Sequence, residues 1–290
     1  MNLKASFRLL RPHQWMKNLL CFVPLLLSHQ WQQQQAVVGS CLAFLTFSLL
    51  ASVIYVINDV LDVSADRNHP KKCHRPIASG LVSPLQALLT GLLLAVVIVT
   101  LASRQPESAR YWLFVYGLTA VGYSLRLKQY LALDVVLISL FYGLRMLYGA
   151  AVAGIVVSVW TIVFSMFMFL TLALVKRLSE VDLMEEAAHD LGRRPYRLKD
   201  RPALFGMACA SAYTALLVVG LYLNGPEVRM IHQHPQWLWL LLPALVYWLT
   251  RILIIVQRSE MHHDPVVFAI RDKASWLVLI WIVAVLVVAK

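Results

Sequence analysis

The chain has 290 residues, 60% of them apolar and 14% charged, where a soluble domain is about half apolar and a quarter charged, so its solvent is lipid. Nine Trp, 12 Gly and 12 Pro spread through long apolar runs exclude a disordered chain, a collagen and a disulfide scaffold. The 26 Lys and Arg against 15 Asp and Glu leave a formal net charge of +11, and on a chain with little aqueous surface that excess must crowd into a few loops.

In chain order, the basic segment Met1 to Asn18 precedes an apolar stretch without a small-residue cleavage site, which predicts a retained anchor and not a signal peptide. About 20 apolar residues cross a bilayer as a helix. By that ruler nine runs are predicted to span it: 17–34, 36–57, 81–102, 109–125, 131–153, 156–175, 203–223, 237–257 and 274–289. Pro24 interrupts the first, and Gln30 to Gln35 cap it with polar side chains. The polar connections are short except 58–80 and 176–202. Cys21, Cys41, Cys73 and Cys209 lie far apart, three of them in apolar runs, so no disulfide is expected.

Lys and Arg are distributed asymmetrically. The side shared with the amino terminus carries Lys4, Arg8, Arg11, Lys17, Arg67, Lys71, Lys72, Arg75, Arg126 and Lys128, then the arginines and lysines from Lys176 to Arg201, then Arg251, Arg258, Arg271 and Lys273. The opposite side carries Arg104, Arg110, Arg229 and Lys290. The positive-inside rule therefore predicts a multi-pass protein of the cytoplasmic (inner) membrane, amino terminus in the cytosol and carboxyl terminus external, which needs an odd number of spans. A weak internal repeat, two spans and a long polar loop followed by two spans and a short basic loop, predicts a pocket between two helical half-bundles with both long loops at its mouth.

The first long loop holds the densest chemistry. Asn58, Asp59, Asp62 and Asp66 share one stripe if the preceding helix continues, since Asp59, Asp62 and Asp66 stand at i, i+3 and i+7. Like charges stacked in this way destabilise a bare helix, and basic residues including Arg75 follow within a few positions. Hard oxygens on one face suit Mg²⁺ bridging to a diphosphate. The alternative is a solvated helix end in which Asn58 and Asp59 cap the chain as it leaves the membrane. His69 and His74, nearest the acids, read as loop hydrogen-bonders.

With these residues in view, the chain resembles the UbiA superfamily of intramembrane prenyltransferases. The pattern Asn-Asp-x-x-Asp-x-x-x-Asp from Asn58 to Asp66 is similar to the family's first aspartate-rich motif. Arg11 to Asn18, Arg75 to Gly80, Tyr123 to Lys128 and Lys176 to Glu180 are similar to the branch typified by decaprenyl-phosphate phosphoribosyltransferase. The resemblance implies a single all-α transmembrane domain over residues 1–290, nine helices in a UbiA-type bundle with a cytosol-facing central cavity, and Mg²⁺ on Asp59, Asp62 and Asp66.

The second loop departs from the usual family pattern. Lys176, Arg177 and Glu180 stand where a second aspartate-rich motif is expected, and Asp182, Glu185, Glu186 and Asp190 follow without its spacing. Cationic side chains favour bare phosphate oxygens over a second metal. A donor with an extra phosphate is then preferred. Phosphoribosyl pyrophosphate has one, and the implied acceptor is a polyprenyl phosphate; Asp59, Asp62 and Lys176 carry the catalytic role in this reading, with Asn58, Arg75, Arg126, Lys128, Arg177 and Glu180 around the substrates. The implied product feeds an envelope polysaccharide.

Four residues keep two readings. Arg126 and Lys128 are either phosphate ligands on the pocket rim or ordinary positive-inside residues, and the family pattern includes Lys128. Arg145, inside the fifth run with Asp134, either reaches a phosphate or neutralises a buried carboxylate; an unpaired charge at a helix centre costs about 2.5–3.5 kcal/mol on insertion scales. Lys17, or Gln14, meets the acceptor phosphate or only anchors the segment beside Trp15. Gly149, Ala150, Ala153 and Gly154 read as close helix packing. His262, His263 and Asp264 lack a third ligand at metal spacing. The expected partners are the polyprenyl phosphate, a soluble diphosphate donor and membrane lipid, with no nucleic acid and homo-oligomerisation left open. A conventional prenyltransferase acting on an aromatic or other small acceptor shares the first motif. A transporter would place its acids at midplane on broken helices, not at the membrane edge.

Overall fold

The amino-terminal apolar segment does not become a regular membrane helix. In the computed structural model, which describes residues 7–28, 30–68, 72–187, 196–226, 228, 233–261 and 265–289, Pro12–Phe22 is a 3-10 helix entered through Arg11 in the left-handed region (φ 51). It runs into one short α-helix, α1 (Val23–Leu27), with Pro24 in its first turn. The rest is helical, α-helices joined in places by short 3-10 helices, with no strand among the described residues: α2 (Gln34–Leu61), α3 (Val63–Arg67), α4 (Pro84–Ser103), α5 (Glu107–Leu125), α6 (Leu133–Ala153), α7 (Val159–Ala187), α8 (Arg201–Asn224), α9 (Leu241–Gln257), α10 (Pro265–Arg271) and α11 (Lys273–Ala289). Local chemistry sets the boundaries. At α4, Ser83 Oγ accepts from the Gln86 N–H while the Gln86 side chain accepts from the Ser83 N–H, and Pro84 follows as the first helical residue.

Among the described residues six helical segments are long and apolar enough to cross a membrane: Gln34–Leu61, Pro84–Ser103, Leu133–Ala153, Val159–Asp182, Leu198–Asn224 and Pro235–Gln257. The pair α10 and α11, bent by 79°, makes a seventh if it is one broken span. Among the described residues the expected nine are not all found. The first run is the 3-10 segment, and α5 carries Glu107, Arg110 and three tyrosines. Of the residues weighed in the sequence, Lys4, His69, Lys71, Asp190, Arg193, Arg194, Arg229, His262, His263, Asp264 and Lys290 lie outside the described residues, as do the side chains of Glu185 and Glu186. No disulfide joins the described cysteines.

The helices form two compact units: unit 1 holds the described residues up to Arg126 together with Leu144–Val157, and unit 2 holds Leu127–Gly143 and the described residues from Ser158 onward. In unit 1, α2 packs on α4 and on the 3-10 helix. Leu9, Val56, Ile77, Val82 and Ala87 close an apolar cluster that draws the 77–82 segment onto the end of α2. A second cluster joins Leu25, Ala36, Ala150, Ala153 and Ile155. There the small residues do what their spacing predicts: a Cβ on Gly149 would collide with the Cys21 backbone, and one on Gly39 would come within 2.8 Å of Ala153 Cα.

In unit 2, α7 packs along α8, and α9 packs on α8 and α11. Leu223, Val228, Leu238, Val285 and Ala289 form its apolar cluster. Asp272 fixes the bend before α11: it accepts two hydrogen bonds from Arg251 (2.8 and 2.9 Å) and two from Ser275, whose N–H is an otherwise unsatisfied first-turn donor.

Candidate functional site

Asp59 lies on the last turns of α2, buried. α2 ends at Leu61, and Asp62 is the turn between it and α3, yet the amide ladder carries on, with the Asp62 N–H donating to Asn58 O (2.9 Å) and the Asp66 N–H to Asp62 O (2.8 Å). The stripe expected from the spacing therefore survives the break. Asp66, also buried, and Asp59 converge on one atom: Arg75 Nη1 is 2.5 Å from Asp66 Oδ2 and 3.2 Å from Asp59 Oδ1. Arg11 Nη2 lies 2.5 Å from the same Asp59 Oδ1. The other Asp59 oxygen, Oδ2, is buried with no hydrogen-bond partner among the described residues.

The 3-10 helix delivers Arg11 to this place. Ser48, Ser52, Tyr55 and Asp59 recur at intervals of four, three and four, so they line one face of α2. Asn18 Nδ2 donates to Ser48 Oγ (3.0 Å), Trp15 Nε1 donates to Ser52 Oγ (3.0 Å), and the Arg11 guanidinium sits over the Tyr55 ring at 4.9 Å. Ser52 Oγ in turn donates to Leu10 O (2.8 Å), where the left-handed Arg11 turn exposes a carbonyl. Two polar ladders are thus zipped together, ending in the acid cluster.

The same ladder reaches Arg145, buried on α6. Its Nε donates to Asn18 Oδ1 (2.9 Å), its Nη2 donates to Tyr116 Oη (3.2 Å), and it faces the rings of Phe47 and Tyr116 at 5.2 and 5.3 Å. The amide and phenol dipoles and the aromatic faces spread the charge across a buried site. Asn58, Asp62 and Lys17 are half-buried in unit 1, and Arg126 is exposed at the end of α5.

Unit 2 places the second group. Lys176, half-buried, and Arg177, almost fully buried, are neighbours on α7. Arg177 pairs with Glu180 one turn on and with Asp134 at the start of α6, its Nη2 2.8 Å from Asp134 Oδ2 at an angle outside hydrogen-bonding range. The Tyr196 hydroxyl donates to Asp134 Oδ1 (2.6 Å) and accepts from the Ala132 N–H (3.1 Å), and the Tyr196 ring lies 5.6 Å from the Arg177 guanidinium. Burial, followed by the hydrogen bond to Asp134 and its charge, raises the Tyr196 phenol above its ordinary range, so it remains a donor. Nearby, Arg201 donates to both Asp182 oxygens and to the carbonyls of Val256 and Gln257 at the end of α9. Lys128 is half-buried on the one-turn 3-10 helix Leu127–Gln129.

Tyr196 and Arg201 carry no signal of this in the sequence, where one is an aromatic in a polar loop and the other a positive-inside charge. Arg177 was expected on a substrate phosphate; here its guanidinium faces protein carboxylates. Among the described residues no three His, Cys, Asp or Glu side chains gather as a ready cage. The unit 1 acids nevertheless suit a hard cation: they are oxygen donors, two already converge on a positive group, and one buried oxygen is unsatisfied. Mg²⁺ asks for no more, being bound through one or two carboxylates with phosphate oxygens and water completing the shell.

Residues 19–277 match the model of the UbiA prenyltransferase family. The chain is 35% identical over 273 residues to Uncharacterized protein y4nM of Sinorhizobium fredii, across 93% of this chain and 52% of that protein, so it spans about half of y4nM. Nodulation protein NoeC of Azorhizobium caulinodans is 34% identical across 91% of this chain and 86% of its own length. Decaprenyl-phosphate phosphoribosyltransferase of Mycolicibacterium smegmatis is 34% identical over 179 residues, 60% of this chain and 56% of that protein. The fold is shared, at 18% identity, with a digeranylgeranylglyceryl phosphate synthase (TM-score 0.71, 99% of this chain and 98% of that one). It is shared equally with an Archaeoglobus fulgidus UbiA homolog bound to GPP and Mg²⁺ (TM-score 0.68, 97% and 99%). The match to the family model runs from the 3-10 helix into α11, and with it this multi-pass membrane protein belongs to the UbiA prenyltransferase family.

Proposed function

We propose that the chain transfers the 5-phosphoribosyl group of phosphoribosyl pyrophosphate to a polyprenyl phosphate, releasing diphosphate. The carrying observation is the convergence of Asp59 and Asp66 on Arg75 with Arg11 alongside, a set of oxygens and guanidiniums suited to a metal diphosphate. Asp59, Asp62 and Asp66 would hold Mg²⁺, which when bound neutralises the departing diphosphate. Arg11 and Arg75 then turn their donors to phosphate oxygens, a task for which the guanidinium fork is suited. Asn58 orients the same group, and Lys176 and Lys128 receive the ribose phosphate.

The bond from the ribose anomeric carbon to the diphosphate breaks and its electron pair leaves with the diphosphate, while an oxygen of the lipid phosphate forms the new bond to that carbon. That oxygen is already anionic at pH 7, so position and charge suffice and no general base is needed. In this reading Arg177 and Glu180 set the shape of the second group, Lys17 and Arg145 attract the lipid phosphate, and the strongly basic side faces the cytosol across the inner membrane. The name and 34% identity of the Mycolicibacterium smegmatis relative support this donor and acceptor, and the product would feed an envelope polysaccharide.

A second reading, prenyl transfer from a prenyl diphosphate to an aromatic or other small acceptor, is favoured by solved neighbours that hold GPP or DMAPP with Mg²⁺. The two separate in one experiment. Purified protein with Mg²⁺ is given phosphoribosyl pyrophosphate and polyprenyl phosphate, or a prenyl diphosphate and an aromatic acid. The proposal expects the polyprenyl lipid to gain ribose phosphate by mass. Consumption of the prenyl diphosphate with phosphoribosyl pyrophosphate left intact overturns it.

A further inference from the structure

Unit 2 has a trough between α8 and α9 that the reaction above does not use. Phe205, Cys209 and Tyr213, four residues apart on α8, form one wall; Thr250, Leu253 and Ile254 on α9 form the other, enclosing about 290 Å³. Both walls belong to helices apolar and long enough to cross the membrane. One end of the trough is polar, closed by Gln257 and Arg258.

The chemistry of that end is selective. Of the arginines near it, Arg251 is held by Asp272 through two hydrogen bonds, and Arg201 is held by Asp182. The exposed Arg258 side chain has neither an ion pair nor a hydrogen bond among the described residues. Gln257 gives its carbonyl oxygen to Arg201 (3.1 Å), which leaves its NH₂ as a donor. An uncompensated guanidinium and an amide donor therefore stand at the mouth of an apolar slot. A second, larger trough of about 580 Å³ shares Thr250, Ile254 and Arg258 but includes Glu260, whose carboxylate opposes an anion on that flank. The favourable side for a negative head is the Gln257 side, directly over the smaller trough.

We propose that this is a binding site for an anionic phospholipid of the surrounding bilayer, its phosphate on Arg258 and Gln257 and one acyl chain along the Phe205 to Tyr213 wall. Charge complementarity selects the head and the trough takes the chain. The lipid would bridge α8 to the end of α9, reinforcing the Arg201 contacts that already tie those helices together. This site does not depend on which substrates the acid cluster takes.

The test is thermal unfolding of the delipidated full chain in detergent with added dioleoylphosphatidylglycerol, dioleoylphosphatidylcholine or inorganic phosphate, for wild type, Arg258→Gln and Cys209→Trp. Arg258→Gln removes the charge at an exposed position, and Cys209→Trp fills the slot while leaving Arg258 in place. Phosphatidylglycerol is expected to raise the wild-type midpoint by several degrees more than the other two additives, and both variants are expected to lose that advantage. Native mass spectrometry of the wild type and Arg258→Gln gives a second readout, with retained phosphatidylglycerol reduced severalfold in the variant. An equal shift with phosphatidylcholine, a shift reproduced by inorganic phosphate alone, or undiminished retention in Arg258→Gln overturns the proposal.

Discussion

Asp59 and Asp66 share a single nitrogen, Arg75 Nη1, at 3.2 and 2.5 Å. A cation bridging two buried carboxylates removes most of the repulsion that their spacing would impose on the end of α2. It also means that any metal arriving at these oxygens competes with a guanidinium already there.

Arg75→Gln should therefore separate two quantities. With the internal cation gone, Mg²⁺ should bind the acid cluster more tightly, while transfer should fall about tenfold or more, since one charged hydrogen bond to phosphate is worth about 1.5–3 kcal/mol. Titration calorimetry with Mg²⁺ alongside steady-state transfer reads both, and a parallel loss of metal binding and activity would count against the competition.

The zipper between the 3-10 helix and α2 makes a stability prediction. Ser52 Oγ accepts from Trp15 and donates to Leu10 O, so Ser52→Ala leaves a half-buried indole N–H and a backbone carbonyl without that partner and should cost about 1–3 kcal/mol. Limited trypsin digestion should then cut sooner at Lys17. An unchanged digestion rate would show that the segment is held by apolar contacts alone.

The ion pair of Arg177 with Asp134 should behave as buried pairs do. Arg177→Met or Asp134→Leu alone should destabilise by about 3–5 kcal/mol, and the double variant by less than the sum, because each single change strands a charge. Tyr196→Phe adds a pH test. The folded phenol titrates above its ordinary range, so its contribution is complete below about pH 10 and declines as pH rises through the folded value. The gap in midpoint between wild type and Tyr196→Phe should be flat from neutral pH to about 10 and narrow above it.

Gly149 meets the Cys21 backbone with no room for a side chain. Gly149→Ala should cost about 1–3 kcal/mol by overpacking, visible as a lower unfolding midpoint, whereas Gly206→Ala, with no heavy atom near an added Cβ, should leave the midpoint unchanged or slightly higher.

How much of this could be read from residues alone follows the range of the interactions. Asp59, Asp62 and Asp66 are neighbours by helical period, so their shared stripe is local and legible, and so is the close packing at Gly149, Ala150 and Ala153, whereas Gly154, read in the same way, has open space around it and takes a positive φ after α6. The partners of Arg177 and Arg201 are not local: Asp134, Tyr196 and Val256 sit on other elements, and no spacing rule connects them. Arg145 was expected to face a phosphate or a carboxylate, and in the structure Asn18 and Tyr116 hold it. Among the described residues fewer than nine segments qualify as spans, because a run of apolar residues does not reveal the 3-10 segment opened by Pro12 or discount the charges and tyrosines of α5.

The most direct measurement of the central claim is binding of inorganic diphosphate to the purified chain, with and without Mg²⁺, in wild type and in Asp59→Asn/Asp66→Asn. The account predicts that diphosphate binds tightly only with Mg²⁺ and that the double variant loses this dependence. Diphosphate binding that is indifferent to Mg²⁺, or equally strong in the double variant, would contradict it.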